Sequence, residues 1–383
     1  MPKKLLALLL LLSLPALAQA PDAAKPEAKD AKPDAKQAKP PEEKSAVTHH
    51  TLTLDGQKLP YTATAGNLLL KDDDGTVKAS VFYIAYTLDG AKDPAARPVT
   101  FAFNGGPGSA SLWIHLGAFG PKRVERTDEG MALPPPGRLV DNDQSILDLT
   151  DLVFIDPVST GFSRPAPGQD PKQFHGVRKD VESVAEFIRL WTTRNQRWAS
   201  PKFVAGESYG TTRAAGLRDQ GKTVGRLDTR FTGTDLDAAG ETFEYDPAMA
   251  ALSGASGSTI NDYLRRELNY DTDLVYERQG KVWPWSWDDF ENQYVNMGEY
   301  LRRAMTQNPD LQVLMASGVF DLATPYFDTL FTKDHLGLPK ELRDHVQVEL
   351  FEAGHMMYIR RADHQKLKGA IGRFIKRAAP VLK

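Results

Sequence analysis

The chain has 383 residues with 47 basic and 50 acidic side chains, a balance that excludes the strongly cationic surface of a nucleic-acid-binding domain. It contains no cysteine, which excludes disulfides, a thiol nucleophile and thiolate metal sites. The length allows one large core or two modest ones.

In chain order, MPKK is a short basic start and LLALLLLLSLPALA an apolar run, and Ala16-Leu17-Ala18 has the small-x-small form of a cleavage site. Residues 1–18 therefore read as a secretory signal peptide, which predicts a secreted or periplasmic protein with no stable transmembrane span after cleavage. The apolar run is short of the roughly 20 residues that cross a bilayer. Residues 19–47 are dominated by Ala, Lys, Pro, Asp and Glu. Frequent prolines break any helix there and little is available to bury, so the segment is expected to be a disordered tether. A folded unit is expected over 48–383.

Within it, HHTLTL (49–54) and NLLL (67–70) read as short strands of an N-terminal β-meander, followed by VFYIAYTL (81–88) and VTFAFNGG (99–106). DLVFIDPV (151–158) and PKFVAGES (201–208) are further near-continuous apolar runs, the pattern of strands covered on both faces. Between these two, Val177, Val181, Val184, Phe187, Ile188 and Trp191 recur at threes and fours, which predicts a helix with one buried face. YGTTRAAGLRDQ (209–220) and INDYLRREL (260–268) are helix candidates, LQVLMASG (311–318) and HVQVELFEAG (345–354) are strands, and 364–378 is a closing helix. Strands alternating with helices predict an α/β fold with a mostly parallel sheet.

Three positions carry chemistry. Gly206-Glu207-Ser208-Tyr209-Gly210 follows a strand and places Ser208 between glycines, the pattern of a sharp strand-to-helix turn that exposes a nucleophile. That pentapeptide recurs by chance, so its partners decide. Asp321 and His355 each follow a late strand, which gives the order Ser, Asp, His. In that arrangement His355 is the base for Ser208 and Asp321 orients its imidazole. NGGPGSAS (104–111) ends an earlier strand with glycines able to aim backbone N–H groups at an oxyanion; Gly106 and Tyr209 are the expected donors. No cofactor or metal cluster is expected. His49-His50 reads as a strand edge, His175 as a helix-start residue, and Trp283, Trp285 and Trp287 as a packed local cluster.

NGGPGSAS, IDPVSTGFS (155–163), GESYG and EAGHMMY (352–358) together resemble the serine carboxypeptidase family of α/β-hydrolases. The resemblance implies removal of the C-terminal residue of a peptide with a free carboxylate, favoured at acidic pH. It also implies that Asn104 binds that carboxylate with the help of a protonated Glu207. Two features depart from the family pattern. Where the family has ELGP, with an acid that shares a proton with the glutamate, this chain has AFGP, with Ala118 in the acid's place. Residues 218–310 form a shortened insert with no strand-like apolar run to lie between the nucleophile's strand and the one before Asp321. The strand 311–316 is therefore expected either to pair directly with 202–207 or to leave the sheet open there, in preference to Thr242-Phe243-Glu244-Tyr245 filling the vacancy. Two other readings share these residues: a secreted esterase or lipase with the same triad, and a catalytically impaired hydrolase-like binding protein.

Overall fold

The computed structural model describes residues 41–134, 136–208, 222–224, 227–228, 230, 232–234, 246–287, 291 and 298–379. The signal peptide, the helix expected after Ser208 and the segment 242–245 lie outside the described residues.

Strands β1 (Ser45–Leu54), β2 (Gln57–Lys71) and β3 (Val77–Leu88) form an antiparallel meander. The ordered chain begins ahead of the expected boundary at residue 48: Glu43 already accepts from Leu69 N at 2.9 Å. β2 is much longer than NLLL. Its first half alternates Tyr61, Ala63 and Ala65 inward with partly or fully exposed polar neighbours, a period-2 pattern carried by small residues.

The chain continues through β4 (Val99–Asn104), the hairpin β5 (Lys122–Val124) and β6 (Leu139–Asp141), β7 (Asp151–Ile155) and β8 (Arg164–Pro165). Helix α1 (Val177–Arg194) leads into β9 (Lys202–Glu207). The main sheet runs β1-β2-β3-β7-β4-β9, with β8 also on β3 and parallel pairing among β7, β4 and β9. Alternate residues of each central strand serve opposite faces. Val81 and Tyr83 of β3 and Val153 and Ile155 of β7 pack with Phe187 and Trp191 of α1. Phe82, Ile84 and Tyr86 join Leu152 and Phe154 in the core on the other face. Asp151, buried at the base of β7, accepts from Arg97 Nε at 2.8 Å and Arg197 Nη1 at 2.6 Å and so ties three segments together.

Next come a small hairpin, β10 (Lys222–Val224) with β11 (Thr232–Thr234), and helices α2 (Pro247–Asp262) and α3 (Gly298–Gln307). α2 starts well before residue 260 because Asp246 caps it, accepting from Met249 N, and Pro247 sets its first turn. β12 (Val313–Gly318), α4 (Tyr326–His335), β13 (Val346–Phe351) and α5 (Arg361–Ala378) complete the chain.

β12 pairs in parallel with β13 and the two make a separate sheet. Direct pairing of β12 with β9 does not occur. Among the described residues nothing pairs with the outer edge of β9, where Val204 is 63% exposed. The smaller sheet has its own core of Met305, Leu336, Leu338, Leu342 and Val346. Of the three tryptophans, Trp285 is buried and stacks on His175 at 6.4 Å, while Trp283 is exposed. His175 is buried, and its Nε2 is 2.9 Å from Ser159 Oγ.

Candidate active site

Ser208 stands at the C-terminal end of β9 with φ of 55°, a left-handed conformation that non-glycine residues avoid unless a tight turn holds them. Gly105 explains how the turn is accommodated. A Cβ on Gly105 would lie 1.9 Å from the Ser208 carbonyl oxygen, so only a bare backbone permits the end of β4 to come this close. Gly106 has φ of 116°, and a Cβ there would crowd the Gly108 and Ser109 nitrogens at 2.7 Å. Tyr209, the other expected oxyanion donor, lies outside the described residues.

The acid and base are brought together by the smaller sheet. His355 Nδ1 and Asp321 Oδ2 are 2.6 Å apart, with both side chains buried. Their loops leave the ends of neighbouring parallel strands, and Gly318 lets them close up: a Cβ there would meet the Ala353 and Gly354 carbonyls at 2.2 Å. Asp321 also accepts from Ala323 N at 2.7 Å, Thr324 N at 3.1 Å and Thr324 Oγ1 at 2.6 Å. Thr324, whose hydroxyl is 3.2 Å from His355 Nδ1, was not foreseen from the sequence. The shortened insert adds support: His355 N donates to Leu227 O at 2.6 Å and Gly354 N to Asp228 Oδ2 at 3.2 Å. Arg230 pairs with that aspartate at 2.6 Å and donates to Glu352 O.

Ser208, Asp321 and His355 line a single cavity of ≈ 680 Å³. Its walls are the open edge of β9, the facing β12 and the Ile371–Ala378 end of α5. The cavity therefore occupies the interval between the two sheets. Among the described residues Ser208 and His355 share no hydrogen bond.

Asn104 and Glu207 are register partners across β4 and β9. Asn104 is buried and its Oδ1 accepts from Ile114 N at 3.0 Å. Burial is the main force on the Glu207 carboxyl and pushes its pKa up, although the nearby His355 and a hydrogen bond from Tyr358 act in the opposite direction. Tyr358 Oη donates to Glu207 Oε2 at 2.6 Å. A phenol thus satisfies the glutamate, whose acidic partner Ala118 replaces. Tyr358 closes the EAGHMMY motif, but only the folded chain reveals that it reaches back to β9. Its ring packs over Gly117, where a Cβ would lie 2.5 Å from it.

The sequence profile of the serine carboxypeptidase family matches residues 57–218, from β2 through the nucleophile motif. This part of the chain is similar to the serine carboxypeptidase family. Two relatives in Arabidopsis thaliana, serine carboxypeptidase-like 13 and serine carboxypeptidase-like 16, are 28% and 27% identical over 154 residues. Each match takes in 39% of this chain and 33% of the relative, so the alignment spans a third of the relatives' length. Among solved structures, a prohormone-processing carboxypeptidase of Saccharomyces cerevisiae, Kex1(Δ)p, superposes with a TM-score of 0.58 at 13% identity. That superposition covers 82% of this chain and 91% of the yeast protein, so the likeness in fold extends beyond the profile match. The α/β-hydrolase-like fold is present here in reduced form, with the main sheet ending at β9 among the described residues. Among those residues no helix is long and apolar enough to cross a membrane, and no group of His, Asp or Glu is arranged to hold a metal ion.

Proposed function

We propose that the protein is a serine-type carboxypeptidase that removes C-terminal residues from peptides through an acyl-enzyme. The observation that carries this reading is the 2.6 Å His355–Asp321 contact on the same cavity as Ser208 in its positive-φ turn. In the reaction Ser208 Oγ attacks the scissile carbonyl while His355 Nε2 takes its proton. Asp321 accepts from His355 Nδ1–H and stabilises the imidazolium. Backbone N–H groups of Gly106 and Tyr209 receive the oxyanion. Collapse of the tetrahedral intermediate breaks the C–N bond, and the proton on His355 goes to the leaving amine. Water then attacks the acyl-enzyme by the same route and restores Ser208. Glu207, kept protonated by burial, donates to the substrate's α-carboxylate beside Asn104, which favours mildly acidic conditions. The substrate is thus a peptide with a free C-terminus, and the signal-like N-terminus supports a secreted or periplasmic setting.

The open interval between β9 and β12 supports a second reading, a hydrolase-like shell with impaired turnover, and the apolar part of the cavity a third, a serine esterase. One experiment separates them. A fluorophosphonate probe should label the protein, Ser208→Ala should abolish labelling, and a peptide with a free C-terminus should be cut from that end faster than its C-terminal amide. Absence of labelling favours the shell. Labelling with cleavage of simple esters only favours the esterase.

A further inference from the structure

Beyond Tyr358 lies a second, much smaller cavity of ≈ 40 Å³, which shares that tyrosine with the active-site cavity. It has space for about three water molecules, which suits a carboxylate and not a ring. Arg126 lines it, with Nη1 buried and lacking a hydrogen-bond partner among the described residues. Nη2 donates to Ser256 Oγ at 3.2 Å, and no acid pairs with the guanidinium among those residues. Burial draws its pKa down to about 10, so the group stays cationic at neutral pH. A desolvated cation without a counterion is costly, and an anion that reaches it recovers that cost.

The other charged groups lining the cavity are accounted for. Arg361 pairs with Asp143 at 2.5 Å, and Arg123 lies 3.8 Å from the same carboxylate. His364 Nε2 is 2.7 Å from the Ala118 carbonyl, and burial takes its pKa down to about 4, so it is neutral. Asp128 is exposed. Arg126 is the cation left for a ligand. Glu207 adjoins Ser208 in the chain, and Tyr358 separates it from the small cavity. A substrate group that reaches Arg126 has therefore passed the position where the α-carboxylate binds.

We propose that the Arg126 cavity is a subsite for the acidic side chain of the residue released, so that the protein selects peptides ending in Glu or Asp. The assignment rests on the carboxypeptidase reading for the direction in which substrate lies. Its test is made by binding, so that the two ideas fail separately. Calorimetric titration of the Ser208→Ala protein with N-acetyl-Ala-Glu and N-acetyl-Ala-Gln should show the glutamate peptide binding at least tenfold more tightly. Adding Arg126→Gln should erase the difference by weakening only the glutamate peptide, and Arg126→Lys should restore part of it; a thermal melt of each variant confirms folding. Equal affinity for the two peptides, or no binding of either, overturns the subsite. Equal weakening of both by Arg126→Gln also overturns it, and would mean that the guanidinium reads the α-carboxylate. Selective binding without turnover in the wild type would leave the subsite standing and remove the enzymatic reading.

Discussion

Replacing Tyr358 with Phe tests how Glu207 is kept ready for a substrate carboxylate. The variant keeps the ring that packs over Gly117 and removes only the 2.6 Å hydrogen bond from Oη to Glu207 Oε2. That bond favours the ionised carboxylate, so its loss raises the Glu207 pKa above its already elevated position. A hydrogen bond to a charged group contributes ~1.5–3 kcal/mol, enough for its loss to be read in a pH profile. The protonated glutamate is the form that donates to the α-carboxylate. KM for a peptide with a free C-terminus should therefore stay low to a higher pH, its alkaline rise displaced upward. The plateau value of kcat should change little, because Tyr358 does not touch the reacting bond in this scheme. The stability sign is the same: a carboxyl whose folded pKa is raised stabilises at low pH and loses that contribution as pH rises through the folded pKa. The assay is steady-state kinetics across pH for wild type and variant. An unmoved alkaline limb, or one displaced toward acid, would refute the reasoning.

Two further outcomes follow from the geometry. Gly105→Ala places a methyl group 1.9 Å from the Ser208 carbonyl, so the turn must shift; a loss of ~2–3 kcal/mol in denaturant melts and a large fall in the rate of fluorophosphonate labelling are expected. Asp156 is fully buried, accepts from Ser111 N at 2.9 Å and Tyr276 Oη at 3.2 Å, and burial raises its pKa from 3.8 to about 6. The folded state therefore holds this proton more tightly than the unfolded one, which is ~3 kcal/mol of stability present below pH 3.8 and lost as pH rises through about 6. Asp156→Asn should remove that part of the slope, read as melting temperature against pH; an unchanged slope would show that another group sets it.

The parts of this fold that follow from local chemistry were legible in the sequence. Val81–Tyr86, Phe101–Phe103 and Leu152–Ile155 are apolar because they are interior strands, and α1 declares itself by the spacing of Phe187 and Trp191. β2 was read too short because Thr62, Ala63, Thr64 and Ala65 alternate with small residues that carry little hydrophobic signal. The start of α2 was missed for a related reason: AALSGASGS has no apolar period, although Asp246 and Pro247 mark a helix N-terminus. In the site, Asp321 and His355 were legible because strand ends place them. Tyr358, Thr324 and Arg126 were not, since what they touch lies far along the chain or depends on side-chain reach. The shortage of apolar residues after Ser208 leaves both direct pairing with β12 and an open edge on β9 as expectations; direct pairing does not occur, and among the described residues nothing pairs with that edge.

The separation of the two sheets also bears on heat. Ser208 is seated on the large sheet, with a core on each face, whereas the smaller sheet rests on the small group around Met305 and Leu342 and joins the main core through Ala323, Phe351, Ala353 and Met356 beside Asp321 and His355. Few buried apolar contacts mean low local stability, so the Met305 and Leu342 side of the smaller body opens first on warming and loosens the strands that carry the acid and base. Inactivation would then precede global melting and reverse on cooling. The nucleophile would outlast its base.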